Sequence, residues 1–143
     1  MPGLTYFSGI LQVKAYRVLQ ATVSQEVKKY GLNPTQWFIL GQVSAQQKTR
    51  PADIASMLKV EAPLITSLTD DLVAQGLIKK LPDPDDKRAK LLKLTAKGSK
   101  LIPEVESGLQ AKLSILLEGL RDSDLKAYQT VLEVIVKNGR LAD

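Results

Sequence analysis

Apolar side chains recur at helical steps along most of this chain. Residues 7 to 30 carry Phe7, Ile10, Leu11, Val18, Leu19, Val23, Val27 and Tyr30 at intervals that indicate an amphipathic helix. Gly31 follows where such a helix closes. Asn33-Pro34 predicts a second start, with Asn33 as the cap, Pro34 in the first turn and Gln36 three residues after the cap. Trp37, Leu40 and Val43 form its apolar face. Thr49-Arg50-Pro51 opens a short third helix through Leu58, because a first-turn proline lacks an N–H that would have no intrahelical partner anyway. A fourth helix begins near Glu61-Ala62-Pro63 and ends at Gly76. Wound at about 100° per residue, it gathers Leu64, Ile65, Leu68 and Leu72 on one side. Pro63, Thr66, Ser67 and Asp70 fall opposite, so one face is expected in a core and the other is free to meet a partner.

The period changes after Gly76. Leu77-Ile78-Lys79-Lys80-Leu81 reads as a short strand and Lys90-Leu91-Leu92-Lys93-Leu94 as its return. The Pro82-Asp83-Pro84-Asp85-Asp86-Lys87-Arg88 segment between them is expected to be an extended loop. Helical spacing then resumes. Thr95 caps a long helix with a stripe of Leu101, Ile102, Val105, Leu109, Leu113, Leu116 and Leu120, which Pro103 is expected to kink or interrupt. Asp122 or Ser123 caps a last helix carrying Leu125, Tyr128, Leu132 and Ile135.

The resulting order is three helices, the last of them short, then a fourth helix, a hairpin and two more helices. The fold class is mainly α with a small β-hairpin: a winged helix-turn-helix flanked by N- and C-terminal dimerisation helices. The expected divisions are residues 1–32 for the N-terminal dimerisation helix, 33–95 for the winged helix-turn-helix region, and 96–143 for the C-terminal dimerisation helices, all within one intertwined chain. The outer helices have apolar stripes to bury. Intertwining with a second copy does so, and so does a single five- or six-helix globule.

Composition narrows the chemistry. The 143 residues have the length of one domain with a sizeable core. There is no Cys and no His, which removes disulfides, a thiolate nucleophile, the usual general base and the commonest metal ligand. No spacing supports a carboxylate pair or a serine–lysine arrangement. No enzyme activity, metal or cofactor is therefore expected. No window approaches a membrane span or a signal peptide, so the expected location is the cytoplasm.

Charge changes the picture more. The formal net charge is +5, and Lys79 to Lys100 holds eight basic residues against three acidic ones. The remainder of the chain balances. A solvated lysine-rich face and a polyanion-binding patch both fit that count.

The stretch Leu77-Ile78-Lys79-Lys80, then Asp83-Pro84-Asp85-Asp86-Lys87-Arg88-Ala89-Lys90, then Leu94-Thr95-Ala96-Lys97-Gly98, resembles the wing of the multiple-antibiotic-resistance regulator (MarR) family. Leu32 to Leu40 with Gln36-Trp37, Pro51-Ala52-Asp53-Ile54-Ala55, and Val60 to Leu72 with Thr66 and Asp70 agree in order and spacing. No single piece is specific; the combined order is. The resemblance implies a homodimeric DNA-binding transcription factor, most often a repressor, with double-stranded DNA as partner and release by a small aromatic or organic-anion effector. It implies that the fourth helix enters the major groove, with Ala62, Pro63, Thr66 and Ser67 facing the bases. It also implies that Arg88 enters the minor groove, held by Asp86, while Lys87 and Lys90 meet flanking phosphates. Arg17 and Trp37 are the expected liners of an effector pocket. Many relatives place Arg or Lys where this chain has Ser67. The fourth helix has no basic residue at all, which leaves a protein-interaction module with a degenerate winged helix as the alternative.

Overall fold

The computed structural model describes residues 2–140, with side chains for residues 8–139. The elements are α1 (Pro2–Lys28), α2 (Pro34–Ala45), α3 (Pro51–Leu58), α4 (Ala62–Ala74), β1 (Ile78–Asp83), β2 (Asp86–Leu94), α5 (Ala96–Leu116) and α6 (Asp122–Arg140). Their order is the one the periodicity predicts. Phe7, expected on the α1 stripe, lies outside the residues whose side chains are described. Two compact units emerge, residues 1–110 and 111–143.

The first unit has a single apolar core. Val27, Ile39, Leu40, Ile54, Ile65, Leu72, Ile78, Leu92 and Val105 are all at most 1% exposed and draw on every element from α1 to α5. The caps that start and stop these helices are local. The Asn33 side chain accepts from the Gln36 backbone N–H at 2.8 Å, and the Gln36 side chain accepts from the Asn33 backbone N–H at 3.0 Å. Two orphan donors are satisfied reciprocally. Gly31 and Gly76, both at φ +72°, turn the chain out of α1 and α4 in the left-handed region that a side chain disfavours. Lys59 adopts the same region at φ 52° at the end of α3 and makes the tight helix-turn-helix corner.

Four expectations need correction. The hairpin is longer than its apolar runs suggested. Pro82 pairs with Lys90 and Asp83 with Asp86, leaving only Pro84-Asp85 at the turn, and the register shifts between Pro82 and Asp83. A two-stranded ribbon has a free edge on each side, so a proline can sit in a strand without breaking a central ladder. Pro103 does not interrupt α5, which runs unbroken for 21 residues. Pro103 and Ser99, whose carbonyl loses its partner, both face solvent. Leu64 is 48% exposed rather than core, and Thr69 takes a buried place instead, its hydroxyl donating to the Ile65 carbonyl at 2.6 Å. Neither Asp122 nor Ser123 caps α6. Asp124, in its first turn, accepts from the Arg121 backbone N–H at 3.0 Å and pairs with the Arg121 guanidinium at 2.8 Å.

The second unit holds the end of α5 and α6. Val131, Leu132, Val134, Ile135 and Val136 on α6 are 38–54% exposed. Within the first unit, Ile10, Leu11, Val13 and Val18 on α1 are also exposed. Among the described residues no helix is long and apolar enough to cross a membrane.

Candidate nucleic-acid interface

α4 is held from one side and bare on the other. Ile65 and Leu72 are fully buried, and truncating either to Ala is expected to cost about 2–5 kcal/mol. On the opposite face Ala62, Pro63, Thr66 and Ser67 line one shallow concavity together with Asp70 and Asp71. The four residues singled out in the sequence are thus brought together. The Thr66 hydroxyl donates to the Ala62 carbonyl at 3.1 Å, a local bond that leaves its acceptor lone pairs outward. The acidic character of this face is reduced by a contact the sequence did not reveal. Lys80 of β1 reaches across and pairs with Asp70.

The hairpin beside α4 is charged along its outer half. Asp86, Lys87, Arg88 and Lys90 are all exposed on β2. Asp86 does not hold the Arg88 guanidinium. Its carboxylate accepts from the Arg88 backbone N–H at 2.9 Å. A short acidic side chain next to a turn reaches its own main chain two residues on more readily than a distant guanidinium. The Arg88 side chain is left to project.

What fixes the wing is the loop between α2 and α3. The Leu92 backbone N–H donates to the Thr49 carbonyl at 2.8 Å. Lys93 Nζ donates to the Gln47 carbonyl, Lys48 pairs with Asp85, and Arg50 pairs with Asp83. The Asp83 side chain is fully buried, and its other oxygen accepts from the Asp85 backbone N–H at 2.9 Å. That backbone donor, with the Arg50 guanidinium adding to it against the cost of burial, holds the carboxyl below the usual range. Lys48, Arg50 and Asp83 carry no signal of this role in the sequence. Lys48 and Asp85 are 37 positions apart, and only the fold brings them together.

The two expected effector liners part company. Trp37 lines a groove between α1 and α2 with Tyr16, Leu19 and Val23. Arg17 lines neither that groove nor the one adjoining it. Tyr16, Leu19, Gln20 and Val23 share one helical face at steps of three and four, and residue 17 is rotated out of it. Among the described residues no group of three or more acidic side chains is placed to hold a metal ion.

A sequence model of the MarR family matches residues 32–90. That span runs from the cap of α2 to the outer half of β2. Among solved structures, the transcriptional regulator PA3341 is 29% identical, with a TM-score of 0.81 over 94% of this chain and 98% of its own. A MarR transcriptional regulator from Methanosarcina mazei Go1 is 23% identical, with a TM-score of 0.83 over 96% and 99% of the two chains. A mutant of MarR from E. coli complexed with operator DNA is 20% identical, with a TM-score of 0.78 over 93% and 96%.

Proposed function

We propose, from its likeness to the MarR family, that this chain is a sequence-specific transcriptional regulator that binds double-stranded DNA as a homodimer. The reading has it act in the cytoplasm as a repressor on an inverted-repeat operator, without enzymatic activity. The observation that carries it is the pairing of two exposed surfaces in one unit. The bare face of α4 has the size and polarity to enter a major groove, and the projecting Arg88 stands on the hairpin next to it.

In this reading Ala62 and Pro63 make apolar contacts, including with thymine methyl groups, and Thr66 and Ser67 bond base edges or phosphates. Arg88 enters the minor groove, where A·T-rich sequence narrows the groove and deepens its negative potential. Lys87 and Lys90 meet phosphates on either side. Asp86 fixes the backbone that presents Arg88. The E. coli relative complexed with operator DNA supports this assignment by its fold. Residues 1–32 and 96–143 serve as dimerisation helices around the 33–95 DNA-binding region. The exposed apolar side chains of α1 and α6 support that role, since a monomer would leave them in water.

The test is a gel shift with the full chain on the DNA upstream of its own gene, followed by footprinting. Two protected half-sites about one helical turn apart are expected. A single unrepeated half-site would overturn the dimeric reading. No binding to any upstream DNA would leave the interaction-module reading, which the lack of a basic residue on α4 favours.

A further inference from the structure

α4 ends on a joint with α5. Its last turn closes as a Schellman motif: the Gly76 N–H donates to the Val73 carbonyl at 2.9 Å and the Leu77 N–H to the Leu72 carbonyl at 3.0 Å. The next three consecutive carbonyls, those of Gln75, Gly76 and Leu77, are taken up by the start of α5. Lys97 Nζ donates to the Gln75 carbonyl at 2.7 Å, the Thr95 hydroxyl to the Gly76 carbonyl at 2.6 Å, and the Thr95 backbone N–H to the Leu77 carbonyl at 3.1 Å. The same Thr95 hydroxyl accepts from the Gly98 backbone N–H at 3.1 Å, which caps α5. One hydroxyl therefore starts one helix and holds the end of another. Gly98 lets the two come this close, since a Cβ there would lie 2.1 Å from the Leu77 carbonyl oxygen.

We propose that Thr95 and Lys97 are positioning residues for DNA reading: they fix the C-terminal end of α4 on α5 and so set the tilt at which α4 presents Ala62, Pro63, Thr66 and Ser67. Their effect on DNA rests on the DNA-binding reading; the joint itself does not.

The two ends of α4 are held unequally. At its start Glu61 makes no side-chain capping bond. At its finish α4 has no basic side chain of its own in the last turn, where a cation would meet the negative end of the helix dipole. Lys97 supplies that cation from a different element, and the N-terminus of α5 adds its own positive end. Burial of Ile65 and Leu72 decides which face of α4 turns inward, but apolar contact is non-directional and tolerates tilt. Hydrogen bonds are directional and do not. The end proposed to read bases is the end farthest from the joint. Thirteen residues at about 1.5 Å each make α4 about 20 Å long, so a tilt of about 5° at the joint moves Ala62 by about 1.7 Å. A shift of that size breaks a hydrogen bond to a base edge.

Lys97 counts among the eight basic residues between Lys79 and Lys100, yet its ammonium is engaged by a carbonyl. A lysine that meets a phosphate and one that aims a helix differ in what their loss does to salt dependence.

The footprinted operator and an unrelated duplex of equal length are titrated by fluorescence anisotropy at several salt concentrations, with the full chain and with Lys97→Met, Thr95→Val and Thr95→Ser. Lys97→Met and Thr95→Val are each expected to bind the operator about tenfold more weakly, the worth of about one misplaced base contact, and the unrelated duplex as the parent does. Lys97→Met is expected to keep the parent's slope of log affinity against log salt, which a lost phosphate contact would lower by about one for each protomer. Thr95→Ser keeps the hydroxyl and is expected to bind the operator as the parent does. Lys97→Met changes only an exposed side chain and carries the comparison where Thr95→Val does not fold. Operator binding equal to the parent's in either folded variant overturns the proposal. So does an equal loss on both duplexes, a lowered slope in Lys97→Met, or a serine that does not restore binding. Without DNA, Lys97→Met is expected to speed hydrogen exchange at the amides of Gln75, Gly76 and Leu77 while the Leu92 amide keeps the parent's rate. Exchange equal to the parent's at those three positions overturns the joint. A parent that binds no operator overturns the DNA-binding reading instead, and the exchange measurement still decides whether the joint holds α4.

Discussion

α4 and the wing stand next to each other and are anchored by opposite means. α4 rests on Ile65 and Leu72, which have no exposed surface, and its outward face carries no basic side chain. The wing is apolar only at its base, where Ile78, Leu91 and Leu92 are buried. Its outer half is tied to the α2–α3 loop by Arg50–Asp83 and Lys48–Asp85 and by the Leu92–Thr49 backbone bond. The helix is therefore positioned by burial, which neither salt nor moderate acid disturbs. The wing is positioned by charge and presents charge. It concentrates the sensitivity of the molecule to its ionic surroundings, and it holds most of the chain's positive surplus. In the proposed reading, such a protein would lean on the minor groove and on DNA shape more than a helix-dominated reader does, with Thr66 and Ser67 refining the choice.

The sharpest way to break this contrast is to remove Arg88. Its recorded bond is made through its backbone N–H, which alanine keeps. Arg88→Ala should thus leave the melting temperature unchanged and weaken operator binding by roughly thirtyfold or more. That figure follows from about 1–3 kcal/mol per lost base-contacting arginine, doubled over two wings. Fluorescence anisotropy on a labelled operator measures it. Binding equal to the parent's would show that α4 carries the affinity alone. A smaller loss is expected from Asp83→Asn, which removes the partner of Arg50 without touching any residue of the proposed DNA interface. Operator affinity should fall about tenfold, and hydrogen exchange at the Leu92 amide should accelerate while exchange across α4 stays the same. If α4 loosens as well, the two anchors are not separate.

Much of the fold was legible because its signals are local. The Asn33–Gln36 capping box, the glycines after α1 and α4 and the apolar spacing of α5 each act within a few residues. The polar face of α4 was legible for the same reason. The wing was only half so. Its basic residues could be counted, but the ion pairs that fix it join positions far apart in the chain, and no periodicity reports them. Pro82 and Asp83 read as loop because they lack strand propensity, yet the pairing of the buried Asp83 with Arg50 and the ribbon's open edge draw them into β1. Leu64 read as core because a wheel records which face a residue is on and not whether anything covers it. Arg17 read as a pocket liner through the family resemblance, and it lines neither of the grooves beside α1 and α2.

Acid should sharpen the comparison further. The Asp83 carboxyl is held below its ordinary range in the folded chain, so the unfolded chain binds that proton more readily. The stability it contributes is complete above the ordinary carboxylate pKa of about 4 and is lost as pH falls through the depressed folded value. The gap in urea midpoint between the parent and Asp83→Asn should accordingly be constant from neutral pH down to about pH 5 and close below about pH 4. A gap that instead widens on acidification would mean that Asp83 is not the group being titrated.

The smallest effect sits where the two regions meet. Lys80 on β1 pairs with Asp70 on the bare side of α4, and both ends retain solvent contact, at 28% and 60% exposure. An exposed pair of this kind contributes about 0–1 kcal/mol to stability, so unfolding should hardly register its loss. DNA binding should register it differently at each end. Lys80→Met leaves a free carboxylate facing phosphates and should weaken operator binding a few-fold, about 0.5–1 kcal/mol. Asp70→Asn removes the repulsion and frees Lys80 to turn toward the backbone, so it should tighten binding by a similar factor. The double variant should fall between the two. Because the effect acts through solvent, it should shrink as salt rises. If Asp70→Asn weakens binding instead, the carboxylate is accepting a hydrogen bond from the DNA, as an acidic side chain can from a cytosine amino group. α4 would then be reading bases with its acid, and its bare face would owe less to the neighbouring wing than the contrast drawn here assigns to it.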